Sequence, residues 1–314
     1  MTAHIENTIE FELCADDETP IFVRDWPLMT RDNIAGGHHD TAQGVVIMHG
    51  LGEHCGRYAH VARFFNALGF VVRTYDHRGH GKSGGNPGDV PDETAMLRDA
   101  ALVINDFRRQ LAGPPILLGH SMGGLFAARF AVAAISPLRA LILSSPALAI
   151  YMSDLQRGLL RFATAVLPGV GIPNGLKTRY LSHDAEIVTA YKNDRLVHSK
   201  ISARLLNSML AAMDFSFQHA KDVNIPLLML VALDDHLVDP EGSKRFFNIC
   251  HQHRDQSQDQ LQDSLHSASV TAHFYPDFYH EILNELDATQ VFDDIRTWLE
   301  IQQFTPVLTG AIAA

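Results

Sequence analysis

A serine between two glycines is a residue of this chain that could act as a nucleophile. Ser121 lies in Gly119-His120-Ser121-Met122-Gly123, which follows the strand-like segment 115–118 and precedes a helix-like one. A serine hydroxyl is a poor nucleophile near neutral pH and needs a nearby base, oriented by a third group. A tight strand–turn–helix with glycines on both sides of the serine presents such a hydroxyl. The pattern predicts that Ser121 attacks an electrophilic carbon.

An acid and a base follow two later strand-like segments. Asp234, Asp235 and Asp239 come after segment 226–231. We assign the acid to Asp235, because an acid followed by any residue, an apolar residue and Val is usual where the carboxylate points inward. Asp234 and Asp239 remain alternatives, or cap the next helix. His280 follows the last strand-like segment and is the predicted base.

Two backbone N–H groups are predicted to stabilise the oxyanion that serine attack creates. Fixed donors of this kind lower the barrier by about 3 kcal/mol each. Met122 stands at the start of the helix after Ser121, where free amides and the helix dipole favour negative charge. Leu51 lies in His49-Gly50-Leu51-Gly52, a turn directly after another strand-like segment. The turn is a weak signal alone and a specific one beside the serine turn.

Strand-like and helix-like segments alternate along most of the chain. The predicted strands are short apolar runs at residues 44–48, 70–75, 115–118, 138–143, 226–231 and 269–275, and the predicted helices include 94–111, 122–134 and 288–301. Such alternation predicts an α/β fold with a mostly parallel central sheet flanked by helices.

The alternation breaks between residues 146 and 222, where helix-like segments predict an inserted helical cap, or lid. Residues 1–145 and 223–314 then form the core. A stripe of Leu155, Leu159, Phe162 and Val166 recurs at helical spacing in the cap. We expect this stripe to pack against the core domain; lining an acyl pocket and touching a membrane surface are the alternatives. Two polar insertions, 29–43 and 251–268, have no assigned role, and the second is expected to be a mobile loop or frayed helix.

Composition excludes several classes of protein. The chain has 25 Lys and Arg against 36 Asp and Glu, a formal net charge of −11, and has no dense basic run, so nucleic acid is not an expected partner. Three cysteines without Cys-x-x-Cys spacing predict neither a disulfide framework nor a metal site, and no cofactor is expected. Residues 1–17 lack the pattern of a secretory signal and no apolar stretch could span a bilayer, so a cytoplasmic location is expected. The oligomeric state stays open.

The order serine, acid, base is the one that α/β-hydrolases use, and chymotrypsin-like and subtilisin-like proteases do not share it. Three core segments and two cap segments closely resemble the monoacylglycerol lipase and lysophospholipase family. They are His49-Gly50-Leu51-Gly52-Glu53-His54-Cys55-Gly56-Arg57-Tyr58, Asp76-His77-Arg78-Gly79-His80-Gly81-Lys82-Ser83, Gly119-His120-Ser121-Met122-Gly123-Gly124, Leu181-Ser182-His183-Asp184 and Ala190-Tyr191-Lys192-Asn193-Asp194-Arg195-Leu196-Val197.

The resemblance implies roles for further residues. Groups that match Glu53, Arg57 and Tyr191 hold the glycerol or polar head in that family, and those that match Leu51 and Met122 form its oxyanion hole. The chain departs from the family in having Arg195 in place of a Pro in the cap, and Ala232 in place of a Gly before the acid. The Asp76 to Ser83 segment shapes the loop after its strand and is given no catalytic role.

The leading hypothesis is a serine-dependent carboxylic-ester hydrolase acting on monoacylglycerol-like or lysophospholipid-like esters, with transient contact of the cap with a membrane surface. A broad short-chain carboxylesterase and an aminopeptidase of the same fold are alternatives, although the cap lacks a recognisable set of acids for binding an amino terminus. A non-catalytic ligand-binding protein is the alternative of another class. The turn that carries Ser121 and its predicted partners indicate the reaction, and we expect residues of the cap to determine the substrate.

Overall fold

An eight-stranded sheet runs through the part of the chain that the computed structural model describes, residues 8–28, 42–258 and 269–305. Its strands are β1 (Ile9–Cys14), β2 (Pro20–Trp26), β3 (Gly44–Met48), β4 (Val71–Tyr75), β5 (Ile116–His120), β6 (Ala140–Ser144), β9 (Leu227–Ala232) and β10 (Val270–Tyr275). The short strands β7 (Ile172–Pro173) and β8 (Lys200–Ile201) pair with each other outside it. The helices are α1 (Ala59–Ala67), α2 (Ala95–Arg108), α3 (Met122–Val132), α4 (Asp154–Val166), α5 (Ala185–Asn193), α6 (Ala203–Gln218), α7 (Pro240–Gln258) and α8 (Ala288–Ile301).

The strand order is β1-β2-β4-β3-β5-β6-β9-β10. The pairs of β1 with β2 and of β2 with β4 are antiparallel, and all other neighbours in the sheet are parallel. Every residue of β3, β5, β6 and β9 is buried, because helices cover both faces of the sheet. The carboxyl ends of β5, β9 and β10 lie at the same edge, so the loops that follow them can bring side chains together.

Side chains of successive strand residues point to opposite faces and enter two cores. In β3, Val46 and Met48 pack into the core formed with α2, α3, α6 and α7, while Val45 and Ile47 pack into the core formed with α1 and α8. This period of two is the ordinary geometry of a strand. The sheet is therefore the middle layer of three.

The predicted fold class is confirmed. The bounds of β3 and α8 agree with the prediction, and β5 extends to His120, two residues beyond the predicted end. The strands β1 and β2 were not predicted. Insertion 29–43 lies outside the described residues except for its last two. In the other insertion, α7 continues to Gln258, and residues 259–268 lie outside the described part.

Between β6 and β9 the chain forms α4, α5 and α6 and the β7–β8 pair. The boundaries 146–222 for the cap stay a prediction. Helix α6 packs against α3 and contributes Leu205 and Met209 to the core. Helix α4 behaves differently, because it has no buried residue.

The expectation that the stripe on α4 packs against the core is wrong. The four side chains of the stripe are between 54% and 74% exposed: Leu155, Leu159, Phe162 and Val166. An amphipathic helix normally buries such a face against the rest of the protein. The exposure of this face indicates that it has a role other than packing.

Candidate active site

Ser121 lies at the turn between β5 and α3. Its φ of 54° and ψ of −120° are rare for a residue with a side chain and store local strain. The turn requires glycine on both sides: a Cβ on Gly119 would lie 2.5 Å from the carbonyl oxygen of Gly123, and a Cβ on Gly123 would lie 2.4 Å from those of Met48 and His49. The tight turn thereby presents the hydroxyl at the carboxyl edge of the sheet.

The three side chains proposed from the sequence as nucleophile, base and acid meet at this edge. The Nε2 atom of His280 lies 2.7 Å from Oγ of Ser121, and Nδ1 of His280 lies 2.6 Å from Oδ2 of Asp235. The imidazole and the carboxylate are both buried. With Nδ1 protonated toward Asp235, Nε2 is free to accept the serine proton, which is the arrangement a general base needs.

Burial and charge act in opposite directions on this pair. Burial disfavours the charged carboxylate of Asp235, yet its pKa is lowered, because His280 and the N–H groups of Leu237 and Val238 stabilise the charge. Burial also opposes protonation of His280, yet its pKa is raised, because the carboxylate of Asp235 outweighs burial. The pair therefore stabilises the imidazolium that forms when His280 takes a proton.

The other two acids after β9 lie elsewhere. Asp239 accepts the N–H of Glu241 at 3.0 Å at the start of α7, as a helix cap does. Asp234 is about half exposed and pairs with His236 at 3.0 Å. Of the three candidates, Asp235 is the one that contacts His280.

The turn after β3 abuts Ser121. A Cβ on Gly50 would lie 3.2 Å from Cβ of Ser121, and Leu51 and Met122 both line the cavity beside it. The N–H of Gly50 donates to Oε1 of Glu53 at 2.6 Å, which fixes the turn. Leu51 and Met122 thus line the same cavity as Ser121, and their role as oxyanion donors stays a prediction.

Glu53 and Arg57 belong to a buried network that also includes Glu281. Tyr58 donates its hydroxyl to Oε1 of Glu53, and the guanidinium of Arg57 binds Oε2. Arg57 also makes two hydrogen bonds of 2.7 Å to the two oxygens of Glu281. Burial raises the pKa of Glu53. Arg57, the neighbouring imidazoles and the Tyr58 hydroxyl lower it by more than burial raises it, so the pKa is well below its usual range.

Tyr191 joins this network from the cap. Its ring lies 4.8 Å from the guanidinium carbon of Arg57, a cation–π distance. Burial raises the pKa of its hydroxyl. Tyr191, Glu53 and Glu281 line the cavity, whereas Arg57 lies between the carboxylates and does not. The sequence did not single out Glu281; its position next to His280 was the one signal, because its partner is 224 residues away.

A cavity of about 570 Å³ opens above Ser121. Its wall is mostly apolar, and much of it comes from the cap, including Leu159, Phe162, Val166, Leu167 and Ile172. A site of this size and character fits a small organic ligand. Three residues of the exposed stripe on α4, Leu159, Phe162 and Val166, therefore border the cavity instead of the core.

Residues 8–28, 42–258 and 269–305 show neither a metal-binding cluster nor a membrane-spanning helix. No group of three His, Cys, Asp or Glu side chains is placed to hold a metal ion there. No helix in those residues combines the length and apolarity needed to cross a bilayer.

Comparison with known proteins agrees with this geometry. A family model described as serine aminopeptidase, S33, matches residues 39–287. A monoacylglycerol lipase of Mycolicibacterium smegmatis is 33% identical over 267 residues, which are 81% of this chain and 87% of that protein. The crystal structure of a Paleococcus ferrophilus monoacylglycerol lipase matches with a TM-score of 0.71 and 31% identity, over 82% of this chain and 95% of that one. A soluble variant of Saccharomyces cerevisiae monoglyceride lipase has a TM-score of 0.76 over 95% of this chain and 96% of that one, and at 20% identity it shows the fold alone.

A serine at the strand–helix turn of an α/β-hydrolase fold defines a serine hydrolase as the class. The chain belongs to the α/β-hydrolase family that contains monoacylglycerol lipases, which confirms the resemblance to monoacylglycerol lipases seen in the sequence motifs.

Proposed function

We propose that this chain hydrolyses carboxylic esters of monoacylglycerol-like lipids through an acyl-serine intermediate on Ser121. The observation that supports the proposal is the contact of Ser121 with His280 at 2.7 Å, at the floor of an apolar cavity. The family fixes the hydrolase class, and the shape and charge of the cavity favour the substrate.

The reaction follows from the positions of the atoms. His280 takes the proton of Ser121 through Nε2 while Oγ bonds to the ester carbonyl carbon, and the N–H groups of Leu51 and Met122 stabilise the oxyanion. The intermediate collapses when His280 gives that proton to the leaving alcohol, which leaves an acyl-serine. His280 then takes a proton from water, the hydroxide attacks the acyl carbon, and Ser121 leaves with its proton restored. Asp235 holds and stabilises the imidazolium in both halves.

The charges beside Ser121 favour a neutral head group. The carboxylates of Glu53 and Glu281 carry two negative charges and the guanidinium of Arg57 carries one positive charge, so the three side chains have a net charge of −1. An anionic phosphate in this place is repelled, since a unit charge is worth about 2 kcal/mol at 8 Å and an effective dielectric of 20. Glycerol hydroxyls can instead donate to Glu53 and Glu281. We therefore favour monoacylglycerol over a lysophospholipid.

The description of the family model makes an aminopeptidase the second candidate. An aminopeptidase of this fold is expected to bind the free amino terminus with acids of the cap, whereas the acids among the residues that line the cavity are Glu53 and Glu281, which lie outside residues 146–222. Arg57 binds both of them. This arrangement favours ester hydrolysis, and comparing an aminoacyl-anilide with a glyceryl ester tests it.

The exposed stripe on α4 is proposed to touch a lipid surface while substrate enters. Leu159, Phe162 and Val166 are each more than half exposed and also line the cavity. Phe162→Asp is expected to weaken binding to phosphatidylcholine vesicles roughly ten-fold or more, since burial of such a side chain is worth about 1.5–3 kcal/mol. Arg157→Asp, on the opposite face of α4, is the control. Equal binding of the two variants contradicts the contact.

The substrate proposal is tested with one purified sample. Monoacylglycerols and lysophospholipids of matched acyl chains, and simple p-nitrophenyl esters, are compared by kcat/KM. We expect monoacylglycerol to be preferred over the lysophospholipid of equal chain length. A preference for the lysophospholipid, or for aminoacyl-anilides, contradicts it.

A further inference from the structure

The loop that carries His280 is bound to the cap as well as to the core. The N–H of Glu281 donates to the carbonyl oxygen of Leu181 at 2.8 Å. The hydroxyl of Ser182 donates to the carbonyl oxygen of Asn284, also at 2.8 Å. Cap residues therefore lie along the loop that follows β10 and share its backbone hydrogen bonds.

The carboxylate of Glu285 lies where this loop meets the cap, and it is buried. Its Oε1 accepts the N–H of Tyr279 at 2.8 Å and Nδ1–H of His183 at 2.9 Å. Its Oε2 accepts the N–H of His183 at 3.1 Å and that of Leu286 at 3.3 Å. The rings of His183 and Tyr279 also stack, with centroids 3.6 Å apart.

We propose that Glu285 is a positioning residue for the base, His280. Its carboxylate accepts the N–H of Tyr279, the residue before His280, and it also binds His183 of the cap. The imidazole has to meet two partners, Ser121 at 2.7 Å and Asp235 at 2.6 Å. A misplacement of about 1 Å can cost about 10²-fold in rate, so what holds the loop matters for catalysis. The inference rests on the hydrolase function proposed above.

A second contact between the loop and the cap links the base to the substrate pocket. Leu181 lines the cavity and accepts the N–H of Glu281, the residue after His280. If the cap moves away from the core, the loop loses these bonds and His280 loses part of its support. The reactive geometry therefore depends on the position of the cap.

Glu285→Gln is the most direct test. Four N–H donors converge on the carboxylate, while an amide offers a single acceptor oxygen and turns two donors of its own toward them. We expect kcat for a soluble p-nitrophenyl ester to fall roughly ten-fold or more, with KM changed much less. The acid limb of the pH profile shifts to lower pH, because a displaced His280 loses part of its stabilisation by Asp235.

Two further variants separate positioning from general loss of stability. Asp25→Asn removes a buried carboxylate that binds Arg73 between β2 and β4, and we expect it to lower stability without changing kcat or the pH profile. His183→Phe keeps a ring against Tyr279 but removes the Nδ1 donor, so kcat falls less than in Glu285→Gln. The effects of His183→Phe and Glu285→Gln do not add in the double variant.

All variants are compared at a temperature at which circular dichroism shows them folded. A lower kcat and a shifted acid limb in Glu285→Gln, with Asp25→Asn unchanged, support the inference. Wild-type kcat and pH profile in Glu285→Gln overturn it while the hydrolase function stands; equal turnover by wild type and Ser121→Ala overturns both. If Glu285→Gln does not fold, His183→Phe decides: a lower kcat supports the inference and an unchanged one overturns it.

Discussion

The imidazole of His280 contacts the hydroxyl of Ser121 at 2.7 Å, although the two residues are 159 positions apart. The contact exists because β5 and β10 are parallel strands of one sheet, so the loops after them leave at the same edge. Asp235 reaches the same point from the loop after β9.

The pH dependence of kcat/KM should report the raised pKa of His280. His280 acts as a base when neutral, so activity falls as pH drops below its pKa, and we expect the midpoint of this acid limb above pH 6.5. Asp235→Asn removes the group that raises the pKa and leaves the burial that lowers it. The midpoint should therefore move down, with kcat reduced roughly 10³–10⁴-fold. An unchanged midpoint in Asp235→Asn contradicts the assignment of the acid.

Gly123→Ala should disrupt the serine turn. The new Cβ would lie 2.4 Å from backbone oxygens of Met48 and His49, which cannot move without shifting β3. We expect a loss of about 1–3 kcal/mol in the free energy of unfolding and a large loss of kcat. Gly158→Ala in α4 is the control, since nothing lies within 4 Å of its Cβ and the helix gains from alanine. Equal urea stability of the two variants would show that the turn is not close-packed.

Glu281→Gln should change the preference for head-group charge. The substitution removes one of the two carboxylates that bind Arg57 and makes this end of the cavity more positive by one charge. We expect kcat/KM for lysophosphatidic acid, relative to monoacylglycerol of equal chain length, to rise roughly ten-fold. The ratio cancels any general loss of rate. Glu241→Gln at the exposed start of α7 should leave the ratio unchanged, and an unchanged ratio in both variants argues against electrostatic selection.

Buried histidines should make the fold sensitive to acid. Burial lowers the pKa of His49 and His80 to about 3 and that of His120 to about 4, and the pKa of His77 is also well below its usual value. Below about pH 6.5 these histidines bind protons in the unfolded chain but not in the folded one. The free energy of unfolding therefore decreases as the pH is lowered, by up to about 1.4 kcal/mol per pH unit for each histidine. The raised pKa of His280 acts in the opposite sense, but it is one group against these four, and burial also lowers the pKa of His60 and His198. Urea unfolding at pH 7 and pH 5 measures the difference, which His80→Gln should reduce; equal stability at the two pH values would be inconsistent with these shifts.

The parts of the site that could be predicted have local signals. The strand before Ser121 is a short run of apolar residues because both faces of a parallel strand are buried, and glycines mark the turn after it. Asp235 and His280 could be placed because each follows another such strand. Chain order then limits which acid and which base can meet the serine.

The parts that escaped prediction depend on distant partners. Strand β2 carries Arg24 and Asp25, which break its apolar pattern, yet both oxygens of Asp25 bind the fully buried Arg73 of β4 at 2.7 Å. The bond between Arg57 and Glu281 likewise joins residues far apart in the chain. A charge neutralised by a distant residue looks in the sequence like an exposed one.

The cap contains the converse case, an apolar helix face that the sequence indicates to be buried and that is exposed in the structure. The stripe of Leu155, Leu159, Phe162 and Val166 has the period of a buried helix face, but period alone does not say what covers it. In the structure all four side chains are exposed, and Leu159, Phe162 and Val166 also line the cavity. The sequence shows that the face is apolar, and only the fold shows that it lies at the mouth of the site.

Covalent labelling tests whether Ser121 is the nucleophile. The protein is treated with a fluorophosphonate probe, its intact mass is measured, and ester turnover is followed in parallel for wild type and Ser121→Ala. We expect one adduct on wild type, mapped to the peptide that contains Ser121, with neither label nor turnover in Ser121→Ala. An unlabelled, inactive wild type would point to a non-catalytic ligand-binding protein, and equal labelling and turnover of both proteins would show that Ser121 is not the nucleophile.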